Sequence, residues 1–424
     1  MGNSLYGWGL VKFRNMWADS LYRNSIWLMA GSFAMAVIGF VYWLIAARLY
    51  TPTEIGLTTT FLSVASLINS FSLLGFGTTL IRYLPNSSNK ARLINSAFTI
   101  VVLLSLMMGV VFVSGVSSWT PDLIFIRSTI PVLIMVIVFF PLFTLNGITD
   151  SVFTAFRQSH WVFLSNITQS VVKLVALVGL TSLGVWGMIG SNMIATAAAV
   201  VLCLFLISTR FGVTLRPTFD LNEMNVVKKF TFGIYLSGII GGLPNMILPI
   251  IITNGISAAQ TAFFNIPNMI VGILMLVPAA ISKSYFTESS HSGSSISMRR
   301  PILVTYGVVL PIVAFLFLFG KFLLGVFGEQ YAVNGYPYLQ LTLLSTLNYV
   351  AIYFFSNRLM LRNRMSFIVR TQVVSTILLL SLVYLLLPKG IVGVGYASVI
   401  TSTMTVGIYL YNYFFSTKAW VRTG

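Results

Sequence analysis

Apolar runs of about twenty residues recur along this chain, interrupted by charges and by clusters of Gly, Pro, Asn and Ser. A helix needs about 20 apolar residues to cross a bilayer core. Twelve spans are predicted on that measure: 26–47, 56–81, 94–116, 129–153, 161–182, 185–208, 230–253, 259–282, 301–327, 336–357, 366–387 and 391–415. A membrane barrel would instead alternate apolar and polar residues in segments of about ten, and no such pattern is present. Backbone groups in lipid must be satisfied within their own segment, so the expected class is an all-α polytopic membrane protein.

The polar stretches between spans set the organisation. The longest, 210–229, has six spans on either side, which divides the chain into a first six-helix bundle (26–209), a linker and a second bundle (230–416), with a short tail at 417–424. Within the linker, Asp220-Leu221-Asn222-Glu223 has the spacing of a capping box that opens a short amphipathic helix. Residues 1–25 read as an interfacial helix, with Leu10, Phe13, Trp17 and Leu21 on one face. The apolar run that starts at Ile26 is too long for the core of a cleavable signal.

Composition narrows the class further. Only 8% of residues are charged and 57% are hydrophobic, against about 25% charged in an average soluble domain. That excludes a soluble enzyme, a nucleic-acid-binding domain and a disordered chain. The net charge of +17 is then a question of placement. Twenty of the 25 bases fall in the even-numbered loops and the two termini, four fall on the other side (Arg48, Arg127, Lys321, Lys389), and Lys173 alone lies inside a span. This positive-inside asymmetry predicts cytoplasmic termini in a cell membrane, and anionic lipids there account for the basic excess. The one cysteine, Cys203, and two separated histidines predict neither a disulfide framework nor a metal site, and no cofactor motif is present.

The two halves also echo each other. At an offset of 205, Ala155-Phe156-Arg157-Gln158-Ser159 lies over Met360-Leu361-Arg362-Asn363-Arg364, and Gly39 falls on Pro244. At 206, Gly184-Val185-Trp186-Gly187 falls on Gly390-Ile391-Val392-Gly393. Two parallel repeats about an axis along the membrane normal are expected, with a central cavity and alternating access by rocking.

Several stretches resemble one family. Ala46-Ala47-Arg48-Leu49-Tyr50-Thr51-Pro52-Thr53-Glu54-Ile55-Gly56 and Leu74-Gly75-Phe76-Gly77-Thr78-Thr79-Leu80-Ile81-Arg82-Tyr83-Leu84-Pro85 are similar to the polysaccharide-transport flippases of the multidrug/oligosaccharidyl-lipid/polysaccharide exporter superfamily, as are the Gly-rich openings of spans six and twelve. The resemblance implies six-plus-six helices around a V-shaped cavity. It also implies translocation of polyprenyl-(pyro)phosphate-linked sugars to the outer leaflet, with membrane lipids and glycan polymerase or transferase proteins as partners.

Such a substrate combines an anionic phosphate, a polar glycan and a long lipid tail. Intramembrane charge is costly and marks function by default, so Lys173 is the leading cavity residue, followed by the helix-end arginines Arg48, Arg82 and Arg370. Asn69, Asn166, Gln169, Asn192, Asn245, Asn254, Asn265, Asn268 and Asn348 could bond sugar hydroxyls, although helix-to-helix bonding is the ordinary use of each. Asp150 is expected to pair with Arg157. Spans seven and eight carry Pro244, Pro249, Pro267 and Pro278, and with Gly39 in span one these are the hinge candidates for gating. Two alternatives compete: a drug or cation antiporter, which would need a buried acid that span one lacks, and a membrane-embedded polymerase or glycosyltransferase. The second would need acid/base or metal-binding groups, and the short outer loops hold only Glu54, Asp122 and Glu329 as acids.

Overall fold

A computed structural model describes residues 20–87, 89–219, 228–291, 297–362 and 364–420. These form fourteen α-helices and no strands. In the first half they are α1 (Ser20–Leu49), α2 (Pro52–Leu73), α3 (Phe76–Tyr83), α4 (Lys90–Trp119), α5 (Ile130–Ala155), α6 (Ser159–Gly179) and α7 (Val185–Phe211). In the second they are α8 (Lys228–Gly255), α9 (Ala258–His291), α10 (Arg299–Phe327), α11 (Glu329–Asn334), α12 (Tyr336–Leu361), α13 (Met365–Leu386) and α14 (Ile391–Trp420). Eleven helices are long and apolar enough to cross a membrane, and the described apolar part of α1 covers Ala34–Leu49. The chain is thus an all-α, multi-pass membrane protein. The capping box at 220–223 and the interfacial residues Leu10, Phe13 and Trp17 lie outside the described residues.

Local chemistry explains where helices begin. Thr51 and Glu54 form a reciprocal capping box at α2: the Thr51 N–H and hydroxyl donate to Glu54 Oε2 at 2.8 and 2.9 Å, and the Glu54 N–H donates to Thr51 Oγ1 at 3.3 Å. Pro52 occupies the first helical position, where its missing N–H costs nothing. Asn89 caps α4 by accepting the Arg92 N–H at 3.0 Å. Replacing Glu54 by Ala removes half of the box and is expected to cost about 1 kcal/mol. A lowered thermal unfolding midpoint in detergent is the measurement that checks it.

One element departs from the sequence expectation. The second span, drawn as continuous over 56–81, breaks into α2 and α3 at Leu74 and Gly75, which take φ values of 44° and 79°. The α9 helix, by contrast, runs unbroken for 34 residues.

The internal repeat is visible in the element boundaries. α1 and α8 end at residues 49 and 255, and α2 and α9 start at 52 and 258. α5 and α12 span 130–155 and 336–361, α6 and α13 start at 159 and 365, and α7 and α14 start at 185 and 391. Every one of these pairs differs by 206. Even a fine detail repeats: a 3₁₀ turn (Thr181–Leu183 and Leu387–Lys389) leads into Gly184 (φ 56°, ψ −132°) and Gly390 (φ 68°, ψ −158°). That backbone region is essentially reserved for glycine, which is why a glycine stands first in both Gly-x-x-Gly openings. At 206 the counterpart of Gly39 is Asn245, one residue beyond Pro244.

The chain divides into two compact units, one of residues 1–42 with 65–236 and the other of 43–64 with 237–424. The first is organised around α3, α4, α5 and α7 through Leu80, Ile94, Val152, Phe153 and Ile207. In the second, residues 43–64 pack closely on the α8–α9 hairpin. A Cβ placed on Gly56 would lie 1.6 Å from the Ala258 carbonyl oxygen. One turn on, the buried hydroxyls of Thr60, Thr253 and Thr261 form a hydrogen-bonded chain.

The helices that carry the hinge-candidate prolines are continuous. α8 runs through Pro244 and Pro249, and α9 through Pro267 and Pro278. Pro244 has no N–H to offer the Ile240 carbonyl, and the Thr376 hydroxyl donates to that oxygen at 3.3 Å instead. The Pro249 carbonyl accepts from Thr261 at 3.4 Å. At Pro244 a neighbouring hydroxyl thus fills the bond that proline leaves open, as membrane helices allow.

Candidate functional site

The first unit gathers a polar cluster in an otherwise apolar bundle. α6 carries Gln169 and Lys173 one turn apart, and α7 carries Asn192 and Thr196 at the same spacing. Residues four apart share a helix face, so the two pairs meet along the α6–α7 seam. Gln169 accepts from Asn146 Nδ2 at 3.3 Å and donates to Thr196 Oγ1 at 3.2 Å. Asn192 Nδ2 donates to the Tyr42 hydroxyl at 2.9 Å and to the Met188 carbonyl at 2.9 Å. The Lys173 ammonium sits over the Tyr42 ring, 4.2 Å from its centroid. Tyr42 is only 1% exposed, so the ring is held firmly between the ammonium and the amide.

Lys173 lies six residues from the end of α6, about 9 Å along the axis. Tyr42 and Asn192 are each seven residues from the neighbouring ends of α1 and α7. The cation is therefore well inside the span. Lys173 has no carboxylate partner among the described residues. The Tyr42 ring face attracts it without neutralising it, so a net positive charge stays available to an anion.

The other sequence candidates scatter. Arg48 ends α1 and donates from Nε and Nη2 to the Val326 carbonyl, the Nε contact at 2.9 Å, so it caps the end of α10. Arg82 is exposed at the end of α3, 5.5 Å from the Tyr83 ring centroid. Arg370 and Asn245 are exposed on α13 and α8. Asn268 accepts from the buried Tyr338 hydroxyl at 3.1 Å, a helix-to-helix bond between α9 and α12. Asn69 is half-buried, with an Oδ1 that has no hydrogen-bond partner. Gly39 has open space where a Cβ would stand; Pro244 lines a cavity in the second unit; Pro249, Pro267 and Pro278 are buried.

The expected Asp150–Arg157 pair is absent. α5 ends at Ala155, and Arg157 sits in the following turn at φ 56° with its side chain exposed. Asp150 stays on the helix, half-buried, its Oδ1 without a hydrogen-bond partner. Two turns of continuous helix were assumed in the sequence reading, and the helix stops short of them.

At the end of the second bundle that carries Arg358, Arg362 and Arg364, charge is concentrated. Arg358 stacks 4.4 Å from the Tyr413 ring centroid. Partial burial, together with the neighbouring Arg358 and Arg364, lowers the Arg362 guanidinium below its ordinary value. A guanidinium remains protonated under such shifts, so this rim is permanently basic.

A family model described as "Polysaccharide biosynthesis protein" matches residues 21–286. The chain belongs to that family. No curated protein sequence matches significantly. Among solved structures, this family member is similar to "Lipid II flippase MurJ, inward closed conformation", with 13% identity, TM-score 0.74, and 93% of this chain and 87% of that chain covered. It is also similar to an inward-facing multidrug resistance MATE family transporter of the MOP superfamily (13%, TM-score 0.63, 95% and 96% covered). A third likeness is to a MOP superfamily transporter from Pyrococcus furiosus, whose title refers to reversed polarity of its binding pocket (11%, TM-score 0.53, 93% and 95% covered). At these identities the likeness establishes the fold of MOP-superfamily transporters.

Proposed function

We propose that this protein is a flippase that carries polyprenyl-(pyro)phosphate-linked oligosaccharide across the cytoplasmic membrane by alternating access, for the synthesis of cell-surface glycan. Both termini face the cytoplasm in this reading, where most of the bases lie. The observation that carries it is the uncompensated Lys173 cation inside a span of a polysaccharide biosynthesis family member. A buried ammonium without a counter-ion is costly, and an anionic phosphate passing through the protein would offset that cost. The neutral amides and hydroxyls around it, Asn146, Gln169, Asn192 and Thr196, suit a glycan that must be held weakly and released. Glycan polymerases or transferases would supply or consume the cargo. The test is reconstitution in liposomes with defined prenyl-phosphate glycans and an assay for glycan reaching the opposite leaflet. Failure to move any member of such a panel would overturn the proposal.

A drug or cation antiporter is the second reading, and Asp150 is the observation that favours it. A half-buried carboxylate with an unpartnered oxygen is what ion coupling uses. As a flippase, the Asp150→Asn variant is expected to keep lipid-linked glycan transport within about twofold, less than 0.5 kcal/mol on the barrier. Ion-driven export of an organic cation that disappears in Asp150→Asn would favour the antiporter.

A further inference from the structure

The second unit holds a half-open cavity of about 250 Å³ among α8, α12, α13 and α14. Of the fifteen described residues that line it, ten carry a hydroxyl, one carries an amide, and none is charged. Ser375 Oγ lies 2.7 Å from Thr405 Oγ1, and Ser356 donates to the Tyr409 hydroxyl at 3.1 Å. Thr401 is 4% exposed, yet its Oγ1 is buried with no hydrogen-bond partner. Tyr349 and Tyr353, each about 40% exposed, place aromatic surface at the same cavity. An orphaned buried hydroxyl in a native fold calls for an explanation.

The internal repeat sharpens what the cavity is. At the 206-residue offset, Lys173, Gln169 and Thr196 of the first bundle correspond to Leu379, Ser375 and Ser402. In the first bundle this place holds a cation, and its amide is bonded from both sides. In the second bundle the lysine is replaced by leucine, and a cavity is open where Ala195 is exchanged for Thr401. One repeat offers charge at this place. The other offers neutral hydrogen bonds and room.

We propose that this cavity binds one neutral sugar ring. The volume lies below the usual range for drug-sized ligands, so a single ring is the scale that fits. Hydroxyl and amide groups pair with sugar hydroxyls in either direction, because each can donate and accept. Tyrosine faces cover the apolar side of a ring. Among the described residues no lining carboxylate or base gives an ionic ligand a counter-charge. The inference rests on the flippase reading for its physiological ligand, a sugar of the carried glycan, while the chemistry would equally hold a free sugar.

The test uses the full-length protein in nanodiscs, with a panel of free hexoses, N-acetylhexosamines and methyl glycosides, read by saturation-transfer NMR. Thr401→Val removes the orphaned hydroxyl at equal size, and Ser375→Ala breaks the pair with Thr405. At least one sugar is expected to bind saturably, and each variant is expected to weaken it by about two- to tenfold, the loss of one hydrogen bond, with the thermal midpoint of Thr401→Val not lowered. No saturable signal from any sugar, or equal binding by both variants, would overturn the proposal. So would stabilisation by sodium alone that Thr401→Val abolishes, since the cavity would then be a cation site. Lipid-linked glycan transport in the same preparations separates the two readings. Transport without sugar binding removes the cavity proposal and leaves the flippase; sugar binding without transport does the reverse. Slower transport in both variants assigns the ring to the carried glycan, and unchanged transport assigns it to a free sugar.

Discussion

Lys173→Ala is expected to lower transport of a prenyl-phosphate glycan by about tenfold or more, which is about 1.4 kcal/mol of lost stabilisation. Abundance and thermal stability should hold. Among the described residues the ammonium makes no ion pair and no hydrogen bond that the fold depends on; its contact is with the face of Tyr42. Removing it deletes a charge, and the protein is relieved of a costly buried cation. Lys173→Arg should retain a substantial share of activity, because charge is what an anion reads at this distance. Lys173→Gln should fall with alanine. Arg48→Ala serves as a contrast. Its donors are committed to the Val326 carbonyl, so its loss should lower stability before it changes transport. Wild-type rates in Lys173→Ala and Lys173→Gln would remove the electrostatic role of this residue.

The span pattern was legible because lipid forces it. Long apolar runs leave a membrane chain few alternatives to helix, and the foreseen spans agree with the helices to within a few residues at most ends. The break at Leu74 and Gly75 was hidden inside one such run. Its trace in the sequence is the Gly75-x-Gly77 pair, which hydropathy cannot weigh against the apolar residues around it. The four prolines of α8 and α9 leave both helices continuous, and α8 accommodates Pro244 because Thr376, 132 residues away in sequence, fills the vacated bond. Asp150 and Arg157 were paired on a helix that ends at Ala155.

The candidate site was half legible. Lys173 stood out as the lone base inside a span, and Gln169 and Asn192 were visible as intramembrane amides. Tyr42 was not, since one tyrosine in an apolar helix looks like any packing residue. Which bonds the amides form depends on the α6–α7 seam, and sequence spacing identifies faces but leaves their partners open. The i, i+4 repetition of Gln169/Lys173 and Asn192/Thr196 was the signal that could have joined them. The neutral cavity in α8, α12, α13 and α14 had no such signal, because serines and threonines ordinarily bond back to their own helix.

Gly56→Ala is expected to produce the largest loss of folded protein among glycine-to-alanine substitutions in the described residues. The methyl group would stand 1.6 Å from the Ala258 carbonyl oxygen, 2.4 Å from its carbon and 3.1 Å from its Cα. Approaches under 3.0 Å are essentially never seen, so the two segments must part by at least 1.4 Å. The obstacle is backbone, and no rotamer change relieves it. Overpacking a tight contact costs about 1–3 kcal/mol and occasionally more, and here the upper end applies because α9 is tied to the same place by the Thr60–Thr253–Thr261 hydroxyl chain. Separation would strain that chain and leave buried hydroxyls unpaired, adding to the cost. Gly39→Ala is the internal control. Nothing lies within 4 Å of its Cβ position, and alanine in a helix is favoured over glycine by about 0.5–1 kcal/mol. Its folded yield should equal or exceed wild type, so any fall in its transport reports on bending of α1 rather than on stability. Size-exclusion chromatography of heated, detergent-extracted protein measures both variants. A wild-type midpoint for Gly56→Ala would show that the α2–α9 contact is far looser than the close approach at Gly56 requires.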